Sequence, residues 1–200
     1  MAAIMGKQGF LQKSSVLAPC ARAGFTLVEL VVVVVAITAT LLAIAVPGMN
    51  GMLSAQKSTA LVNSFVVSLH LARGEAIKRN ARAVVCKSAD GLSCSTSGSW
   101  EQGWIVFHDA NNNGVLDAGE QVVLQQGPIA RDLRLTGNMH VADYVSYSAS
   151  SSAKLLSGAF QAGTFTMCPA AASSSSDVRL VVLSGTGRPR TQKGTISDCR

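Results

Sequence analysis

The sequence is short of charge, of histidine and of the spacings from which metal and catalytic centres are built. Only 14% of its 200 residues are charged, against 48% apolar, and much of the apolar excess lies in one block near the N-terminus. The positive mean hydropathy therefore describes that block and not the whole chain. The histidines are three and scattered (His70, His108, His140), and the five cysteines include no C-x-x-C pair, which argues against a zinc site. There is no phosphate-binding loop and no convincing Ser/His/Asp or Cys/His constellation. His108 beside Asp109 reads as the end of a strand. These absences point away from an enzyme and from a bound cofactor.

What is present begins with an asymmetric N-terminus. The formal charge is +6. Lys7, Lys13 and Arg22 all precede Phe25 with no acid among them, and setting that stretch aside leaves +3. From Leu30 to Val46 no residue is charged. Extended by Phe25 to Val28, this run suits a hydrocarbon core of about 30 Å at about 1.5 Å per helical residue. Glu29 interrupts it, and a carboxylate in such a helix costs roughly 3 kcal/mol on insertion scales, so it needs a partner.

A secretory signal would be cut after its apolar region, whereas here Gly24-Phe25 stands at the polar-to-apolar boundary. The stretch Gly24-Phe25-Thr26-Leu27-Val28-Glu29-Leu30 resembles the signature of type IV prepilins. That resemblance implies cleavage by a prepilin peptidase between Gly24 and Phe25, with methylation of the new N-terminus. Residues 1–24 would be the leader, carrying Cys20 away with it, and residues 25–47 a transmembrane and polymerisation helix. Glu29, fifth in the mature chain, would meet the Phe25 ammonium of a neighbouring subunit during assembly.

Pro47 and Gly48 are expected to loosen or kink the helix, since proline removes a donor and glycine costs about 1 kcal/mol against alanine. The helix then resumes over 48–81. Apolar residues recur there at Met52, Leu53, Leu61, Val62, Phe65, Val66, Leu69, Ala72, Ala76 and Ile77, a stripe that should face the rest of the domain. After Arg82 the period changes to two, with turns rich in Gly, Ser and Asn. Strands are expected at 82–87, 103–108, 121–126, 131–136, 143–148, 163–168 and 178–184. The fold class is α+β: a long N-terminal helix packed on an antiparallel β-sheet domain spanning 82–200. The segment Ala72-Arg73-Gly74-Glu75-Ala76-Ile77-Lys78-Arg79-Asn80 before a valine-rich strand resembles the GspH/FimT-type minor pilins and pseudopilins, apart from Gly74 where a serine is expected.

Residues 109–120 match the calcium-loop pattern D-x-[DN]-x-[DN]-G-x5-E, with Asp109, Asn111, Asn113, Asp117 and Glu120 supplying oxygens. The flanks are strands and not the two helices of an EF-hand, and Asn, Asp and Gly also suit tight turns. The turn reading leads and calcium is its alternative. A similar hairpin loop is common in the family resembled. Four cysteines remain after the leader and permit three pairings. Proximity in sequence suggests Cys86 with Cys94 around a short loop, and Cys168 with Cys199 pinning the C-terminal segment, in an oxidising compartment.

From Asp177 to Arg200 five basic residues face two acids, so the positive charge of the mature chain gathers at this end. Gly187-Arg188-Pro189-Arg190 resembles the GRxR motif of FimT-type minor pilins that bind DNA in natural transformation. The resemblance implies a DNA-binding role for Gly187, Arg188 and Arg190, and Lys193 joins them as part of the same basic segment. Physically, two arginines after a glycine-rich turn offer two guanidinium forks on an exposed loop, each able to take a phosphate without reading sequence. The expected protein is a minor pilin seated in the bacterial inner membrane before assembly, then exposed on a pilus in the periplasm and outside the cell. Its expected partners are prepilin peptidase, other pilins and DNA. The alternatives are a structural minor pilin that primes assembly and a pseudopilin of type II secretion.

Overall fold

The computed structural model describes residues 24–171 and 177–199. They fall into two compact units divided between Val46 and Pro47. The leader expected at 1–24 lies outside the described residues except for Gly24.

One helix, α1, spans Leu27–Arg79 and contributes to both units. Its start is written in the sequence. The Thr26 hydroxyl accepts a hydrogen bond from the Glu29 amide at 3.2 Å, the Thr-x-x-Glu spacing of a capping box. Glu29 is the acid of the first turn, where the helix dipole favours negative charge. Leu27–Ile44 is long and apolar enough to cross a membrane, and none of it is buried. Thr38 and Thr40 turn their hydroxyls back onto Val34 O and Ile37 O at 2.9 and 2.8 Å, so these polar atoms are satisfied without water. The helix is continuous through Pro47 and Gly48, since one missing donor does not end a helix of this length.

The helix stops at a left-handed residue. Asn80 has φ 50°, its amide bonds Ile77 O, and the Ala81 amide bonds Ala76 O, both at 3.2 Å. This is a Schellman ending with asparagine in the position glycine usually takes. Just before it, Arg79 and Lys78 reach back to Glu75 at 2.8 and 3.3 Å. The Arg79 hydrogen bond above all holds the Glu75 carboxyl below its ordinary range, against the opposing effect of burial.

The second unit continues with β1 (Arg82–Lys87), β2 (Trp104–Asp109), β3 (Val122–Gln126), β4 (Leu133–Gly137), β5 (Tyr144–Tyr147), β6 (Gly163–Pro169), β7 (Arg179–Leu183) and β8 (Pro189–Lys193). They form two antiparallel sheets, ordered β3-β2-β1-β5 and β4-β6-β7-β8. The seven expected strands are all present within two residues. β8 is additional: it begins at a proline and carries only polar residues after it, so it lacks the alternation that reveals a buried strand. A proline is tolerated there because β8 is an edge.

Val62, Phe65, Leu69, Ala72 and Ala76 are the buried helix face. Met52, Leu53 and Ile77, counted in the expected stripe, are instead exposed. Ile77 adjoins the Schellman turn, and the other two precede the first buried turn of the helix. Phe65 meets Trp100, Trp104 and Phe165 edge-on, with ring centroids 5.3, 5.1 and 4.6 Å away. Each indole N–H is satisfied, Trp104 donating to Ser68 Oγ and Trp100 to Val141 O, both at 3.0 Å. A second cluster of Val84, Cys86, Ile105 and Phe107 lies on the other face of the first sheet, covered by Cys94, Leu116 and Tyr144.

Phe65→Ala should therefore destabilise the protein by about 3–5 kcal/mol, whereas Val67→Ala, two residues away and 63% exposed, should stay within about 0.5 kcal/mol. Chemical denaturation of both variants in detergent checks the pair.

Candidate functional site

The loop between β2 and β3 spends its oxygens on its own donors. Asp109 is fully buried and accepts from the amides of Asn113 and Gly114 at 3.1 and 2.9 Å. Glu120 accepts from the amides of Ala110 and Asp117 at 2.8 and 3.1 Å. Asp117 Oδ2 receives the side-chain amides of Asn111 and Asn113, both at 2.7 Å. Asn112 and Gly114 take positive φ, as residues of those types readily do. Among the described residues no group of three His, Cys, Asp or Glu could hold a metal ion. The five residues matching the calcium pattern are brought together in one internally hydrogen-bonded loop, and its Leu116 packs on the second hydrophobic cluster.

Cys86 is bonded to Cys94 and Cys168 to Cys199, with Cα separations of 5.5 and 6.0 Å. Inside the first loop Asp90 accepts from the Leu92 amide at 2.8 Å, then from the hydroxyl and amide of Ser93 at 2.8 and 2.9 Å. These donors hold its carboxyl far below the usual carboxylate range. At the other end of the chain Gly24 and Phe25 are exposed and precede the helix. Glu29 is exposed on its first turn.

The basic C-terminal residues are arranged by a hairpin. Between β7 and β8 the turn closes with Gly187 N bonding Ser184 O at 2.8 Å and Ser184 N bonding Arg188 O at 3.3 Å. Gly187 is buried with φ +76°. A Cβ there would lie 2.5 Å from Ser151 O and 3.0 Å from Tyr147 Cε1, so the position requires glycine both for its conformation and for space. Arg188 follows in the turn. Arg190 and Lys193 lie within β8 and not on a loop, opposite Val182 and Arg179 respectively. Strand alternation puts Arg190 and Lys193 on opposite faces. The hairpin brings Arg188 and Arg190 together and leaves Lys193 apart. All three are exposed, and among the described residues no carboxylate pairs with them.

The helix supplies a third arginine that the sequence motif did not indicate. Arg73 and His70 line a cleft with Ser184, Thr186, Arg188 and Arg190. Arg73 and Arg188 also line an adjoining cleft with Ser150, Ser151, Ser152 and Phe160. Arg73 Nη2 donates to Ser151 Oγ at 3.2 Å, while its Nε is buried without a partner. The Tyr147 hydroxyl is likewise buried and unpartnered. Burial pushes that phenol well above its ordinary range, the Arg73 charge opposing. Among the described residues no acid lines either cleft. The available signal was the His70-to-Arg73 spacing of three, which places both on one helix face. Its meeting with the hairpin more than a hundred residues away was not legible.

A model of the family described as type II transport protein GspH matches residues 61–187. The fold is similar to the type IV minor pilin FimU of Pseudomonas aeruginosa, at 17% identity and a TM-score of 0.47 over 72% of this chain and 90% of that one. It is also similar to the minor pseudopilin EpsH of the Vibrio cholerae type 2 secretion system, at 14% identity and a TM-score of 0.48 over 68% and 97% of the two chains. No curated protein sequence matches significantly.

Gly187→Ala should cost about 1–3 kcal/mol from the strained left-handed backbone alone, with the Ser151 contact adding to it. Arg188→Gln, next in the chain but exposed, should stay within about 0.5 kcal/mol. Thermal unfolding of both variants separates a conformational role for the glycine from a charge role for the arginine.

Proposed function

The chain belongs to the GspH family of minor pilins and pseudopilins, and on that premise we propose that it is a type IV pilus minor pilin that binds extracellular DNA without sequence preference, in the service of natural transformation. The observation that carries this reading is the pairing of Arg188 and Arg190 across the start of an edge strand, both exposed and free of acidic partners among the described residues. Guanidinium forks in that state have no competing carboxylate to displace, and each can take a phosphate oxygen pair. Phosphate contacts position a protein on DNA without reading its bases. Lys193 adds charge to the other face of β8 and contributes to attraction over distance more than to contact.

The family description favours a second reading, a pseudopilin of type II secretion. Both readings share the N-terminal machinery: prepilin peptidase cuts between Gly24 and Phe25, the apolar helix stays in the inner membrane until assembly, and Glu29 meets a neighbouring Phe25 ammonium in the filament. Glu29 also stands at the third position of its own helix, where the capping geometry and the dipole already favour it. The acid is thus compatible with the helix before a partner arrives.

Two outcomes are expected. Glu29→Ala is processed and membrane-bound but is poorly recovered in sheared filaments; normal recovery removes the proposed ammonium pairing. In gel shifts with the full-length protein in detergent, duplex binding weakens as salt rises, by a slope of roughly −0.9 per phosphate contact. Arg188→Gln with Arg190→Gln should lower that affinity by at least about tenfold, since hydrogen bonds to charged groups contribute about 1.5–3 kcal/mol each. Arg131→Gln, also exposed, should change little. Absence of salt-dependent binding, or equal loss in both variants, leaves the pseudopilin or a structural minor pilin as the account.

A further inference from the structure

The paired clefts between α1 and the β7–β8 turn differ from an ordinary basic surface. Their two opposing walls carry arginines from different elements, Arg73 from the helix and Arg188 from the turn. Arg73 is half-buried and makes one hydrogen bond, to Ser151, while its buried Nε has none. A guanidinium with a buried unsatisfied donor is costly unless something else completes it. Among the described residues the lining offers no carboxylate for that purpose. Beside the arginines it offers His70 and a set of hydroxyls, and a hydroxyl can donate to an anion as readily as accept from a cation. The chemistry of the cleft suits an oxyanion.

The smaller cleft, about 360 Å³, has one further component. Phe160 lines it, and its ring is 72% exposed. The neighbouring turn leaves room for it, since a Cβ at Gly185 would come only as near as 3.4 Å to Phe160 Cβ. The Lys154 ammonium stands 5.9 Å from the ring centroid, within reach of a cation–π contact. A single exposed phenylalanine needs no explanation by itself. One placed beside two arginines and a row of hydroxyls, in a cleft free of acids, is the combination that single-stranded nucleic acid uses: charge for the backbone and an aromatic face for an unstacked base.

Resting on the DNA reading above, we propose that this cleft receives a single strand, with a phosphate held between Arg73 and Arg188 and the adjacent base stacked on Phe160. A duplex keeps its bases stacked inside and can present only phosphates, so it reaches Arg188 and Arg190 at the rim and gains nothing from the ring. The site therefore prefers single strands to duplex. It has little preference among bases, because every base has a face to stack.

Fluorescence anisotropy of the full-length protein in detergent, with an oligo-dT strand and a duplex of equal length, tests this. The single strand should bind about tenfold more tightly than the duplex, the range expected from one stacked base. Phe160→Leu should bring the single strand down to the duplex level while leaving duplex binding unchanged. Leu92→Ala, which removes another exposed apolar side chain, should change neither. Arg73→Gln should weaken the single strand and reduce its salt slope by about 0.7, one phosphate contact, and Arg73→Lys should restore part of the slope because it keeps the charge. Equal binding of strand and duplex, unaffected by Phe160→Leu, overturns the cleft assignment while leaving Arg188 and Arg190 as a duplex-binding pair. Binding of neither nucleic acid overturns the DNA reading itself and the cleft assignment with it.

Discussion

The second unit depends on one side chain meeting three others. Phe65 reaches from the helix into the space between two sheets, and Trp100, Trp104 and Phe165 close on it edge-first. The chain has few aromatic residues, and four of them are committed to this contact. Edge-to-face pairs add about 0.5–1.5 kcal/mol each beyond the area they bury, but their larger effect is geometric. Trp104 is tied to the helix through Ser68 and Trp100 to the loop before β5 through Val141. The helix therefore cannot rotate about its axis without breaking an indole hydrogen bond. That fixed rotation presents Arg73, eight residues after Phe65, to the β7–β8 turn.

Much of this was legible because it is periodic or local. The switch from a helical to a two-residue period after Arg82 marks the change of structure, and seven strands follow from alternation and turn chemistry. The capping box at Thr26 and Glu29 and the left-handed end at Asn80 are local too, but the apolar periodicity that marks the helix says nothing of either end. The helix stripe was read too generously at its ends, since spacing marks a face but does not say where the opposing sheets stop. β8 escaped because an edge strand of polar residues carries no burial pattern. Arg73 escaped for a different reason: its partner turn lies far along the chain, and nothing short-range distinguishes it from any solvated helix arginine.

The 109–120 loop shows how one residue set answers two chemical descriptions. Aspartate and asparagine at alternate positions are what a divalent cation needs from a chain that curls around it. They are also what a chain needs to curl with nothing inside, provided their oxygens reach its own amides. Here Asp109 and Glu120 do so at opposite ends of the loop. The same loop delivers Leu116 to a sheet face that would otherwise be wet. The Cys86–Cys94 loop covers that face from the other side, so both irregular segments act as lids over one sheet.

β8 is the outer strand of the second sheet, with no further strand beside it among the described residues. Exposed edges of this kind invite a strand from another molecule, and filament subunits spend their lives at high local concentration. The edge opens with Pro189, which has no amide to offer, and continues with Arg190 and Lys193 on its two faces. A second copy approaching edge to edge would bring like charges together and find a donor missing. Arg190 and Lys193 thus act as gatekeepers of this edge, disfavouring its pairing with the same edge of another copy.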